Sequence, residues 1–355
     1  MNSKVAKFVR QDVLDINPYH VPAPNNLIKL DNMENPYGWQ EPVVDRWLKK
    51  IRHAELNRYP DPEARALRAR LREVMKIPED AGLILGNGSD ELIQIVCMSL
   101  AKPNSTALSI SPSFVMYKML STFAGLSYRS VDLNDDFSLP LEIMLSEIET
   151  AKPAVVFIAY PNNPTGNLFD ENAICQIVEA SPGLVVIDEA YYAFAGDSFA
   201  KYLHRYDNMM VLRTVSKMGL AGLRLGYMMG NPDWIKEFNK VRMPFNINSL
   251  TQITAEFALQ NMAMLDEQTE QICRDRETLY ARMTEIDGIK CYPSKANFIL
   301  FKVNNAQQVY QLLQDKGVLI RNLSTNNSAL TDCLRVTVGT AKENEIFLKA
   351  LQESI

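Results

Sequence analysis

Three unbroken apolar runs, Ala154–Tyr160, Leu184–Ile187 and Met209–Leu212, constrain this 355-residue chain more than any other feature. Each is strand-length and carries no polar residue to face water, so each reads as a strand covered on both faces. Leu223–Met229 reads as a fourth. Between and before them the pattern turns helical. Asp61-Pro62 opens a run with Leu67, Leu71, Val74 and Met75, and Gly86-Asn87-Gly88 leads into apolar positions 92, 95, 96 and 100. The alternation predicts βαβ units and a mostly parallel, doubly wound sheet. A long helical stretch from Thr251 to Ile286, divided into more than one helix, then precedes strand patterns at Phe298–Val303, Val318–Arg321 and Leu334–Val338. The expected fold class is α/β. A large domain over 41–275 precedes a smaller α+β domain over 276–355, and an N-terminal arm, 1–40, forms part of the small domain. Pro and Asn keep that arm from forming long helices and suit it to a surface or a cleft wall.

Composition narrows the function. Lys and Arg number 37 against 42 Asp and Glu, a net charge of −5, without the basic excess of a nucleic-acid binder. The longest apolar runs are far short of a membrane span. Lys4, Lys7, Arg10 and Asp12 are followed by no apolar stretch of a secretory signal. Five scattered cysteines without a CxxC imply reduced thiols and a cytoplasmic protein with no zinc site, and three distant histidines leave no metal centre.

Polar residues gather at the carboxyl ends of the strands, where open parallel sheets bind ligands. The first run enters Pro161-Asn162-Asn163-Pro164-Thr165-Gly166, the second Asp188-Glu189-Ala190-Tyr191, and the third Arg213-Thr214-Val215-Ser216-Lys217, followed by Gly222-Leu223-Arg224. An amide, a carboxylate, a phenol, a lysine and an arginine therefore project from one sheet edge. A lysine that condenses with an aldehyde, a carboxylate that matches a protonated pyridine nitrogen, and donors for a phenolic oxygen suit pyridoxal phosphate. On this reading Lys217 holds the aldehyde, Asp188 pairs with the ring nitrogen, and Asn163 and Tyr191 face the phenolic oxygen. Gly88, Ser89 and Asp90 at a helix start, with Thr214, Ser216 and Arg224, suit the phosphate.

The Tyr-Pro-Asn-Asn-Pro-Thr-Gly, Asp-Glu-Ala-Tyr and Thr-Val-Ser-Lys motifs, with an arginine seven residues after the lysine, resemble those of the fold-type I aminotransferases that use pyridoxal phosphate. Asp188 follows Asn163 by 25 residues and Lys217 follows Asp188 by 29, as in that family. Asn17-Pro18-Tyr19, Leu30 through Pro36, Arg58-Tyr59-Pro60 and Leu334 through Thr340 narrow the resemblance to the histidinol-phosphate aminotransferases, over essentially the whole chain.

The resemblance implies a catalytic set of Lys217, Asp188 and Tyr191, with Lys217 also the general acid/base. It implies that Phe114 stacks on the cofactor where relatives often carry Tyr. It places Tyr59 at the phosphate of a neighbouring subunit, so the active site is shared in a homodimer. Arg335 and Arg321 would grip the acidic group of the substrate, and Tyr19, Asn32, Glu34 and Asn297 would add contacts. The implied reaction transfers nitrogen between histidinol phosphate and 2-oxoglutarate, with glutamate as product, in histidine biosynthesis. An aromatic amino-acid aminotransferase or a phosphothreonine-type decarboxylase is the rival within the superfamily, and a regulatory ligand sensor the rival outside it. A nicotinamide dehydrogenase is disfavoured because no GxGxxG follows the first strand. Met33 stands where relatives carry a polar residue, so Met33 and Phe114 bear on substrate preference.

Overall fold

The structure is a computed structural model that describes residues 3–18, 26–324 and 327–355. Its central sheet has seven strands: β1 Gly82–Asn87, β2 Thr106–Ser111, β3 Ser127–Asp132, β4 Val155–Ala159, β5 Leu184–Asp188, β6 Met209–Thr214 and β7 Leu225–Gly230. Their order is β1-β7-β6-β5-β4-β2-β3. All neighbours are parallel except β7, which runs antiparallel to both β1 and β6.

The apolar runs form the middle of this sheet because side chains alternate between faces. Val156, Ile158, Val185, Ile187, Met209 and Val211 enter one core, while Val155, Phe157, Leu184, Val186, Met210 and Leu212 enter the other. Burying each such side chain stabilises the fold by roughly 1.5–3 kcal/mol. A helix-sized gap separates successive parallel strands. Helix α1, Ser89–Leu100, follows β1, and α2, Met116–Ala124, follows β2.

A second, antiparallel sheet is built from β8 Ile289–Cys291, β9 Phe298–Val303, β10 Arg321–Asn322 and β11 Cys333–Thr337, in the order β10-β11-β9-β8. Its core takes Phe298, Phe301, Leu334, Val336 and Phe347 together with Leu30 and Met33 from far upstream. The two sheets are bridged by α3, Ser249–Gln260, and α4, Met262–Thr284, so the helical stretch does divide. Helix α4 runs unbroken through residues 275 and 276. Among the described residues, no helix is long and apolar enough to cross a membrane.

Two strand expectations are corrected. The fourth run begins at Leu225, not Leu223, because Ala221–Leu223 forms a 3-10 turn and Arg224 is left-handed at φ 49. Val318–Arg321 is not one strand. Val318–Leu319 pairs with Ile28–Lys29, and after Ile320 the chain changes sheets so that Arg321–Asn322 pairs with β11.

Candidate active site

The ends of β4, β5 and β6 open into one cavity lined by Asn163, Asp188, Tyr191, Thr214, Ser216 and Lys217. Ser89, Asp90, Phe114 and Arg224 close its other sides. Residues far apart in sequence meet there because β4, β5 and β6 are sheet neighbours, with Ala159 opposite Asp188 and Asp188 opposite Leu212.

Asp188 lies at the cavity floor and is buried. Its Oδ2 accepts the Tyr117 hydroxyl at 2.7 Å and its Oδ1 accepts the Ala190 amide at 3.0 Å. Burial pushes the carboxyl up to about 6, while those two donors oppose the shift. Among the described residues, no cationic side chain donates to Asp188. A buried carboxylate without a protein cation suits a ligand that brings the positive charge.

Lys217 follows β6 in the irregular turn Ser216–Leu220, which Gly219 permits at φ 116. Its Nζ donates to the Asn32 carbonyl at 3.1 Å and lies 5.9 Å from the centroid of the Tyr191 ring. Burial, reinforced by the Arg335 charge, pulls the amine down to about 8. A substantial neutral fraction at neutral pH is what a nucleophilic amine needs. Asn163 Nδ2 donates to the Tyr191 hydroxyl at 3.1 Å, and Arg335 Nη1 donates to Asn163 Oδ1. Tyr191 meets Phe298 edge-on at 5.2 Å, which fixes its ring from the second core.

The opposite rim is an anion cradle. Gly88 caps α1 at φ 83, and a Cβ there would fall 2.6 Å from Arg224 Nη2. A Cβ on Gly226 would lie 2.5 Å from the Ser89 amide nitrogen. Gly226 is required by close approach to backbone and Gly88 by its left-handed φ, and the α1 amides and macrodipole face the cavity. Arg224 Nη2 sits 3.3 Å from Asp90 Oδ2. Thr214 Oγ1 lies 2.9 Å from Ser216 Oγ and 3.0 Å from the Leu225 carbonyl, so these hydroxyls are held in place. An amine, a buried carboxylate and this cradle fit the aldehyde, ring nitrogen and phosphate of pyridoxal phosphate.

A wider cleft of about 710 Å³ continues outward, lined by Asn17, Asn32, Met33, Phe114, Arg321 and Arg335 among others. Arg321 and Arg335 are register partners on β10 and β11. Like charges directly opposite on antiparallel strands are destabilising, so the pair reads as built for an anion. Arg335 Nη2 also donates to the Asp31 carbonyl at 3.1 Å, and its guanidinium covers the Phe298 ring at 5.1 Å.

Some expected residues lie elsewhere. Asn297 lines neither cavity: it is buried under the second sheet and donates from Nδ2 to the Met33 carbonyl at 2.9 Å, holding that loop. Glu34 pairs with Lys29 and lines neither cavity. Tyr59 is 81% exposed and stacks on Phe245 at 4.6 Å, outside this chain's own cavity. Tyr19 lies outside the described residues. Tyr117 was missed by sequence reasoning; its position three residues after Phe114, at helical spacing, is the signal that could have found it.

Residues 25–351 match the family described as aminotransferase class I and II. Histidinol-phosphate aminotransferase 2 of Nitrosococcus oceani is 52% identical over 351 residues, covering 98% of each chain. The crystal structure of histidinol-phosphate aminotransferase from Sinorhizobium meliloti in complex with pyridoxal-5'-phosphate gives a TM-score of 0.87 at 22% identity, covering 98% of this chain and 97% of that one. L-threonine-O-3-phosphate decarboxylase from Porphyromonas gingivalis gives 0.78 at 21%, covering 92% and 99%. Fold alone therefore does not separate amino transfer from decarboxylation.

Proposed function

We propose a specific reaction for this chain, which belongs to the class I and II aminotransferase family: pyridoxal-phosphate-dependent transfer of nitrogen from histidinol phosphate to 2-oxoglutarate, a step of histidine biosynthesis. The observation that carries it is the register pair Arg321 and Arg335 opening from the Lys217–Asp188 cavity. Two cations suit the phosphate of one substrate and the distal carboxylate of the other in turn, whereas a chain of net charge −5 would otherwise repel both.

When bound, the cofactor supplies an electron-poor ring that accepts the electron pair left at the substrate Cα. Lys217 holds the aldehyde end and, once displaced by the substrate amine, carries the Cα proton on Nζ. Asp188 keeps negative charge beneath the ring nitrogen. Asn163 and Tyr191 orient the phenolic oxygen. Gly88, Ser89, Asp90, Thr214, Ser216 and Arg224 hold the phosphate, and Phe114 covers the ring. Asn32 in the cleft wall, with Tyr19, completes substrate contact.

The chain acts as a cytoplasmic homodimer in which Tyr59 reaches the partner's cofactor. The exposed Tyr59–Phe245 stack, with Met243 at 69% exposed, supports that assembly. The second sheet and residues 28–33 form the smaller domain, with α4 as the shared spine. Met33 and Phe114 give the cleft an apolar wall, which favours aromatic amino acids as a second donor class.

The absorption spectrum tests the cofactor and both half-reactions. The purified protein is expected to show a visible band that histidinol phosphate bleaches and 2-oxoglutarate restores. A band unmoved by either compound overturns the substrate assignment, and release of carbon dioxide from O-phosphothreonine, with no 2-oxoglutarate consumed, would identify a decarboxylase. Arg335→Ala tests the anion site. It is expected to lower kcat/KM for histidinol phosphate about a hundred-fold, since charge-assisted hydrogen bonds are worth roughly 1.5–3 kcal/mol each. Losses for an unphosphorylated aromatic amine, with kcat/KM followed in the half-reaction, should be several-fold smaller. Equal losses would make Arg335 structural.

A further inference from the structure

Tyr117 belongs to α2, not to any strand end, yet it reaches the carboxylate at the cavity floor. Its ring is fully buried, stacked on Phe157 at 5.0 Å and 5° and edge-on to Phe114 at 5.6 Å. Its hydroxyl donates to Asp188 Oδ2 at 2.7 Å. The stack on β4 leaves the ring little freedom, so the hydroxyl can point only where α2 and β4 together place it. We propose that Tyr117 is a positioning residue for the cofactor: its hydroxyl fixes the orientation and charge of the Asp188 carboxylate. The inference rests on the pyridoxal-phosphate reading above.

Three features support it. Asp188 has one donor per oxygen, Tyr117 on one and the Ala190 amide on the other, so loss of the hydroxyl leaves a buried oxygen without a partner. The charges around the carboxylate are hostile: Asp90 at the start of α1 and neighbouring Glu189 both favour its neutral form. Glu189 is itself engaged with Arg213 on the far side, at 2.9 Å. The other titratable and charged groups lining the cavity are Tyr191, Lys217 and Arg224, and Tyr128 faces Tyr117 from β3. None of these donates to Asp188, so Tyr117 is the one side chain among the described residues that does. The contact with Phe114 adds a second consequence. The ring wall of the cavity and the carboxylate at its floor are held by the same side chain.

The test is the affinity of the apo protein for pyridoxal 5'-phosphate from pH 6 to 9, in wild type, Tyr117→Phe, Asp188→Asn and the double variant. Phenylalanine keeps both ring contacts and deletes only the donor. Tyr117→Phe is expected to bind about ten-fold more weakly than wild type at pH 7, as loss of one hydrogen bond to a charged group implies. The deficit should shrink as pH rises, because the carboxylate then ionises without help. Titration of Lys217 affects every variant alike and cancels in the ratio to wild type. In the Asp188→Asn background the same substitution should change affinity less than about two-fold, since coupled sites lose their interaction once. An equal deficit in both backgrounds, or one independent of pH, would make Tyr117 merely structural. A single variant that is unstable beside a stable double variant supports the coupling, and instability in both overturns it. Wild-type protein that binds no cofactor would refute the cofactor reading itself; wild type that binds, with Tyr117→Phe unchanged, refutes this inference alone.

Discussion

Lys217→Ala is expected to abolish transamination while leaving the fold intact. The amine donates to the Asn32 carbonyl at 3.1 Å, so the loss of that bond costs about 1 kcal/mol of stability. Removing a group whose charged form is disfavoured by burial offsets part of even that. The chemical loss is of another order. General acid/base catalysis alone is worth about 10²–10⁴-fold, and Lys217 also provides the covalent hold on the cofactor. A fall in kcat of at least about 10⁴-fold, with an unchanged melting temperature of the apo protein, is the expected pair of results. Turnover within ten-fold of wild type would remove Lys217 from the mechanism. The same amine sets a pH dependence. Because Lys217 is pulled down to about 8, its nucleophilic neutral form grows as pH rises through that value. The rate at which the apo protein takes up pyridoxal 5'-phosphate should rise over the same range and level off above it.

Asp188→Asn is the second large effect. An amide preserves the shape: its oxygen can still accept from the Ala190 amide, while its NH2 takes the place of the oxygen that met Tyr117 and can only donate to that hydroxyl, and it carries no charge. Removal of one preorganised electrostatic partner costs about 10²–10³ in kcat, and a loss of that size is expected here. Stability should move the other way. The carboxyl is raised from 3.8 in its ordinary setting to about 6 in the fold, so the folded protein binds more protons than the unfolded chain between those values. The contribution of Asp188 to apo stability is therefore fully present below about pH 4 and lost as pH rises through about 6. That difference corresponds to roughly 3 kcal/mol at neutral pH. The apo Asp188→Asn protein should melt higher than wild type at pH 7, and the gap should close towards pH 4. A gap independent of pH would mean the carboxylate is not the titrating group. Bound cofactor should reverse the order, because its cationic ring restores the value of the charge.

Much of this was legible without coordinates. The runs Ala154–Tyr160, Leu184–Ile187 and Met209–Leu212 became the middle strands because unbroken apolar stretches have only one place in a parallel sheet, covered on both faces. The polar motifs that end those runs were legible for the same reason: a strand end is a local feature, and the three ends lie side by side once the strands pair in parallel. Asn163, Asp188 and Lys217 came from that step, and the Gly88–Asp90 helix start from its own Gly-rich turn before an apolar helical pattern.

Contacts between distant elements were not legible. Tyr117 was hidden because its partner is 71 residues away and its own segment reads as an ordinary amphipathic helix. Asn297, which the resemblance places at the substrate, donates to the Met33 carbonyl 264 residues upstream, a contact that no local pattern announces. The break at Ile320 was invisible because Val318, Leu319 and Ile320 form one apolar run with no turn residue where the chain changes partner strands.

The sequence by itself determined that 154–160, 184–187 and 209–212 are the covered middle strands and which chemistry gathers at their ends, since these follow from local apolar runs and the residues that end them. Only the tertiary structure decided that Arg321 stands opposite Arg335, that residues 28–33 close the second core, and that Tyr117 holds Asp188. Those facts depend on strand order and packing between distant segments, which a one-dimensional pattern does not encode.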